Sequence, residues 1–165
     1  MADEVKPNLD HPDLSQITDY LFVSSLPKDE HAEHIHSLGI RLIISMPVYR
    51  PPRVFRRAPF QFIHCPSIDS PVTPIPQFIL NRGVQRALPV INEQGHAVLV
   101  HCKEGIHRSV AMACCILIAK GYTAEEAMKL VKEKRAKADP YASYIRKRIK
   151  VFEADWNEHH GSTKE

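Results

Sequence analysis

Apolar positions along the chain fall into short blocks, some alternating and some recurring every three to four residues, and these blocks define the elements to expect. Residues 17–23 alternate weakly and are rich in β-formers, which predicts a first strand or hairpin. Residues 40–45, 60–65 and 97–100 are short apolar runs with β-branched side chains, as buried strands require. Helices are expected at 28–38, where Asp29 and Glu30 come early and Gly39 follows as a stop, and at 76–93, opened by Pro76 and kinked by Pro89. A helix over 109–120 is broken by Gly121, and Thr123 with Glu126 forms a capping box for a helix at 124–134. A last helix begins near Pro140, with Ile145, Ile149, Phe152 and Trp156 on one face.

Two proline-rich stretches interrupt this pattern. Residues 47–59 hold four prolines and Arg50, Arg53, Arg56 and Arg57, a composition that opposes core secondary structure and predicts a loop. Residues 66–76 form the second, around Ile68, Asp69 and Ser70. Strands alternating with helices predict an α/β fold: a central, mainly parallel sheet of about four to five strands with helices on both faces. In such sheets the ligand site lies beyond the carboxyl ends of the strands. The domain is expected to occupy 14–157, between a flexible segment at 1–13 and a polar tail at 158–165.

Composition narrows the class. With 165 residues, 44% apolar and 25% charged, one globular domain is expected. The longest apolar run, 110–119, is too short for a membrane span, and the acidic N-terminal residues do not resemble a secretory signal. A cytoplasmic, possibly nuclear, protein is the expectation. Cys65, Cys102, Cys114 and Cys115 form no spaced framework and no C-x-x-C pair, which argues against structural disulfides and a thiolate zinc site. No metal or cofactor is expected. The net charge of +3 suits an anionic substrate but is too weak to argue for nucleic acid.

The chemistry concentrates after residue 100, in His101-Cys102-Lys103-Glu104-Gly105-Ile106-His107-Arg108-Ser109. A buried strand delivers Cys102 into a tight loop, and a helix starts as the loop ends. Backbone N–H groups of such a loop form an anion-sized nest, and the helix dipole adds positive potential. Both favour a thiolate at Cys102 and a phosphoryl group beside it. Arg108 supplies a planar fork for two phosphoryl oxygens. Gly105 permits the close turn, and Ser109 can donate to the Cys102 sulfur when the thiolate departs.

The segment resembles the H-C-x5-R-S signature of the protein tyrosine phosphatase superfamily. Leu38-Gly39-Ile40 with Leu42-Ile43-Ile44, and Glu126-Ala127-Met128 through Glu133-Lys134-Arg135, resemble the dual-specificity branch; Ala136 and Tyr141 depart from it. The resemblance covers about residues 17–156. It implies a loop of Lys103, Glu104, Gly105, Ile106, His107 and Arg108 that binds phosphate, with His101 holding that loop through hydrogen bonds.

Hydrolysis also needs an acid for the leaving oxygen. Asp69, 33 residues before Cys102 in a proline-rich loop, has a position similar to the family's general acid. A turn aspartate is the plain alternative, and Asp139 and Glu104 are weaker candidates, Glu104 with its side chain outward. The four loop arginines suit either a second acidic contact or a solvated loop. His31, His34 and His36 lack metal-ligating company and are expected to face solvent, and Cys65 reads as a buried thiol before it reads as a redox partner of Cys102. The expected activity is metal-independent hydrolysis of phosphotyrosine and phosphoserine/threonine in proteins. A phosphoinositide or inositol phosphate substrate is the alternative, and a non-catalytic phosphate-binding module or a rhodanese-like sulfur carrier fits less well.

Overall fold

The computed structural model describes residues 12–161, and within them five strands make one sheet. In chain order they are β1 (Leu14–Thr18), β2 (Leu21–Ser24), β3 (Ile40–Ser45), β4 (Gln61–His64) and β5 (Ala97–His101); in space the order is β1-β2-β5-β3-β4. Strands β2, β5, β3 and β4 run parallel, and β1 folds back antiparallel on β2. The expected strand or hairpin at 17–23 is thus a hairpin that starts earlier, at Leu14.

Side chains of the central strands alternate between two apolar layers, as the period of two along a strand demands. Leu42, Ile44, Val98 and Val100 face a large cluster; Ile43 and Leu99 face a smaller one. The large cluster is built with α2 (Gln77–Asn92), α3 (Arg108–Ala119), α4 (Ala124–Lys134) and α5 (Ser143–His160). The small one is covered by α1 (Ala32–Ser37) and by Phe55 and Phe60. Helices therefore lie on both faces, but unequally. Helix α3 is buried from Ser109 through Ile118, which explains why its sequence is apolar on all sides.

Several local expectations need correction. The helix at 28–38 is a 3-10 turn, Asp29–His31, followed by the six residues of α1. His31 is not solvent-facing: it is buried, and its Nδ1 accepts the Lys28 N–H at 3.2 Å, which closes the tighter turn. The arginine-rich stretch is not entirely irregular, because Arg53–Arg56 forms a 3-10 turn that drives Phe55 into full burial beside Phe60. A single aromatic anchor outweighs the surrounding prolines and charges there. Helix α2 continues past Pro89, whose carbonyl accepts the N–H groups of Glu93 and Gln94 as the helix ends. Helix α5 begins at Ser143 and not near Pro140, because Asp139 Oδ1 accepts the Ala142 N–H and holds the preceding turn. It extends to His160, beyond the expected boundary at 157, where His160 stacks on Trp156. Asp13, assigned from sequence to a flexible segment, is bonded to Arg135. Residues 1–11 and 162–165, the rest of the two expected flexible ends, lie outside the described residues.

Candidate active site

The loop from Cys102 to His107 joins the carboxyl end of β5 to the first turn of α3. What shapes it is visible in where its carbonyls go. The Cys102 carbonyl meets His101 Nδ1 at 3.2 Å, and that of Lys103 accepts the Leu26 N–H at 3.1 Å. The Glu104 and Gly105 carbonyls accept from Arg135, through one terminal nitrogen at 3.3 Å and Nε at 2.7 Å. The Ile106 carbonyl accepts the Asp139 N–H at 2.9 Å. Each carbonyl is drawn away from the loop's centre. Because a trans peptide points its C=O and the following N–H in opposite directions, the N–H groups of 103–107 turn inward. That is the anion nest expected from the sequence, built by donors outside the loop.

Cys102 lies at the floor, 3% exposed, with the Gly105 N–H donating to its Sγ at 3.2 Å and Ser109 Oγ at 3.1 Å. The Gly105 N–H favours negative charge on the sulfur, and the Ser109 hydroxyl is placed to donate to it when the sulfur is ionised. Gly105 has φ of +69°, and a Cβ on it would collide with the Arg135 guanidinium and the Ser24 backbone. Glycine is needed both for its conformation and for this close approach. His101 is buried, which lowers its pKa to about 4 even though its bond to the Cys102 carbonyl opposes the shift. It is a neutral imidazole that donates through Nδ1 to the Cys102 carbonyl. Glu104 is exposed with its side chain outward, as expected.

Arg108 opens α3. One terminal nitrogen donates to the Ser67 carbonyl at 2.8 Å, while its Nε is buried with no partner. An unpaired buried guanidinium donor is costly, so the geometry suits an anion that would complete it. Ser67 is itself tied to the Met46 carbonyl by its N–H at 2.9 Å, so the 66–76 loop is fastened to the phosphate loop through Arg108. This brings Asp69 to the site. Its Oδ2 lies 3.0 Å from His107 Nδ1, and its Oδ1 accepts the Tyr144 hydroxyl at 2.6 Å. Burial raises the Asp69 pKa, but the bonds from Tyr144 and His107 and the positive charge of Arg108 outweigh it and hold the carboxyl below its ordinary value. Asp139 sits at the edge, 3.7 Å from His107 Nε2.

Sequence reasoning missed Arg135, Asp13 and Tyr144. Arg135 is 2% exposed and uses its whole fork: two loop carbonyls, both Asp13 oxygens at 3.0 and 3.1 Å, and Ser15 Oγ at 3.1 Å. Asp13 also pairs with Lys137. In the sequence Arg135 ends a capped helix rich in lysine and looks like a solvated charge, so no local signal marked it. Cys65 is fully buried with its thiol pushed up to about 11, as expected of an inert core residue. Of the loop arginines, Arg56 donates to the Pro51 carbonyl at 2.9 Å within its own loop.

The family model described as "Dual specificity phosphatase, catalytic domain" matches residues 21–153. A protein of Invertebrate iridescent virus 6, named as a tyrosine phosphatase, 123R, is 40% identical over 62 residues, a match that spans 37% of this chain and 43% of the viral protein. Among solved structures, PTPMT1 in complex with PI(5)P superposes with a TM-score of 0.79 at 21% identity, over 90% of this chain and 99% of that one. A mouse dual-specificity phosphatase complexed with zinc tungstate gives 0.80 at 20% identity, over 94% and 95%. Human DUSP28 gives 0.77 at 22% identity, over 89% and 97%. At these identities the structures speak for the fold, and the family model speaks for the lineage. The chain belongs to the dual-specificity phosphatase branch of the protein tyrosine phosphatase superfamily.

Proposed function

We propose that this protein hydrolyses phosphate monoesters in phosphoproteins, at phosphotyrosine and phosphoserine/threonine, through a covalent phosphocysteine at Cys102. The observation that carries the reading is the Gly105 N–H bonded to the Cys102 sulfur, with the Ser109 hydroxyl beside it and an unpaired, buried Arg108 Nε at the start of the helix that follows. In the first step the thiolate attacks phosphorus, an S–P bond forms and the ester P–O bond breaks. Asp69 gives its proton to the leaving oxygen. In the second step the Asp69 carboxylate takes a proton from water, whose oxygen attacks phosphorus as the P–S bond breaks. Ser109 donates to the departing thiolate. Arg108 and the nest hold the equatorial oxygens, where charge spreads in both transition states. The negative charge of the bound phosphoryl group opposes the carboxylate form of Asp69 and so favours its protonation.

Protein substrates are favoured by the rim. Val48, Tyr49, Ile68, Val72 and Tyr141 are exposed apolar side chains on the loops that leave the carboxyl ends of β3 and β4 and on the loop between α4 and α5. These apolar side chains suit a polypeptide better than a polyanionic ring, and the exposed Arg50, Arg53 and Arg57 on the same β3–β4 loop suit acidic residues beside a phosphorylated one. The second reading, a phosphoinositide or inositol phosphate, draws on Lys103, exposed on the loop, and on the crystallisation of PTPMT1 with PI(5)P. A cytoplasmic or nuclear setting is part of the proposal, since a thiolate nucleophile needs reducing surroundings. The test is a panel of phosphotyrosine peptide, phosphothreonine peptide and inositol phosphates, with a metal chelator present and a rapid acid quench. Phosphopeptide turnover with a trapped phosphoenzyme, lost in Cys102→Ser, is the expected result. Turnover retained in Cys102→Ser would refute the mechanism, and turnover confined to inositol phosphates would refute the substrate class.

A further inference from the structure

Asp69 stands on an exposed proline-rich loop, yet both of its oxygens are engaged. Tyr144, in the first turn of α5, donates to Oδ1 at 2.6 Å, and His107, the last residue before α3, meets Oδ2 at 3.0 Å. The two partners also touch each other, with ring centroids 5.5 Å apart at 52°. Behind His107, its Nε2 faces Asp139 Oδ2 at 3.7 Å, and Asp139 is anchored by its own bonds to the Ile106 carbonyl and the Ala142 N–H. Asp139, His107, Asp69 and Tyr144 thus form a continuous row across the phosphate loop, drawn from three separate segments of chain.

We propose that Tyr144 and His107 are positioning residues for Asp69, a clasp that aims its carboxyl at the leaving-group oxygen. The inference rests on the reading of Asp69 as the acid. Without the clasp, an aspartate on this loop would sample several rotamers, and proton transfer requires one. The aim has a consequence of its own. Donors to a carboxylate favour its charged form, and Asp69 is held low in spite of burial. Tyr144 remains a donor throughout, because burial and then Asp69 push its hydroxyl up to about 12. The charged groups facing this pair are Arg108, which acts on both Asp69 and Tyr144, and Asp139, which faces His107 and Tyr144. Loss of a clasp donor therefore has two opposed effects. Proton delivery becomes slower, and the pH at which Asp69 loses its proton rises.

The experiment compares the full chain with Tyr144→Phe, His107→Ala, His107→Asn and Asp69→Asn. Each is assayed with a poor and an activated aryl phosphate leaving group across pH. Asparagine places a side-chain N–H where histidine has Nδ1, so it can replace that arm of the clasp. Tyr144→Phe and His107→Ala are expected to lose about 5- to 10-fold in kcat for the poor leaving group, the worth of one positioned hydrogen bond, and little for the activated one. Their basic limb should move to higher pH, and His107→Asn should recover most of the loss. Equal losses for both leaving groups with the limb unmoved would overturn the inference, as would a His107→Asn no better than His107→Ala. Asp69→Asn separates the two levels of the argument. If its loss depends on the leaving group and the clasp variants' losses do not, the clasp alone fails; if its loss is also independent, the acid reading fails and takes the clasp with it.

Discussion

The phosphate loop and the acid loop face each other across the site, but they are built in different ways. The phosphate loop is held by its backbone: five consecutive carbonyls, from Cys102 to Ile106, accept from His101, Leu26, Arg135 and Asp139. The acid loop is tied at Ser67, whose N–H donates to the Met46 carbonyl and whose carbonyl accepts from Arg108, and beyond that it is held by its own side chain Asp69, through Tyr144 and His107. Ile68 and Val72 stand exposed on that loop, whereas Cys102 and Ser109 are buried. A backbone-held loop keeps its shape whatever its side chains do. A side-chain-held loop depends on a few contacts that substrate can rearrange. The first arrangement suits a nest that must be ready before an anion arrives, and the second suits a group that must change its protonation state during the cycle.

This contrast can be tested from its strongest element downwards. Arg108→Lys attacks the point where the two loops meet, since an ammonium cannot both hold the Ser67 carbonyl and present a fork to phosphate. A loss of about 10³-fold or more in kcat/KM is expected from steady-state kinetics. Near-normal kinetics would remove Arg108 from the site. Asp69→Asn touches the acid loop alone, and should cost about 10²- to 10⁴-fold in kcat with a poor leaving group and much less with an activated one. Thermal stability should change little, because Asp69 itself lies outside both apolar cores.

The supports of the phosphate loop should show in stability. His101 has a folded pKa of about 4, below the ordinary value of about 6.5 that the unfolded chain would show. The unfolded state therefore takes up the proton first. Stability from this group is intact above about pH 6.5, falls as pH drops towards 4, and levels off below, a loss on the order of 3 kcal/mol. Urea unfolding at stepped pH should show this slope, and His101→Gln should flatten it. An unchanged slope would mean that His101 is not buried neutral. Arg135→Met removes the donors to the Glu104 and Gly105 carbonyls, and should cost about 1–3 kcal/mol and weaken phosphate binding. Binding of inorganic phosphate to Arg135→Met reports on this. Unchanged affinity would show that the loop holds its shape without that support.

Much of this protein was legible from sequence because its defining features are local. The short apolar runs at 40–45 and 97–100 mark buried strands, and the structure places them side by side as β3 and β5, their two faces feeding two separate cores. The capping box of Thr123 and Glu126 is present as read. Where local reading failed, burial of one side chain had decided the turn. Phe55 turned an arginine-rich loop into a buried turn, and His31 was drawn inward to close one.

The sequence by itself determined the residues proposed as nucleophile and arginine clamp and the loop between them, because strand, cysteine, glycine, arginine and helix start follow one another within nine residues. Their chemistry depends on backbone geometry that so short a segment largely dictates. Only the tertiary structure decided what holds that geometry in place and what engages Asp69, the proposed acid. Arg135 reaches across 122 positions to Asp13 and 30 to Gly105, and Tyr144 reaches back 75 to Asp69. A sequence shows that an arginine or a tyrosine is present, but a hydrogen bond between residues so far apart exists only once the sheet and its helices have packed. The cost of burying a guanidinium, met here by five acceptors at once, makes that packing specific.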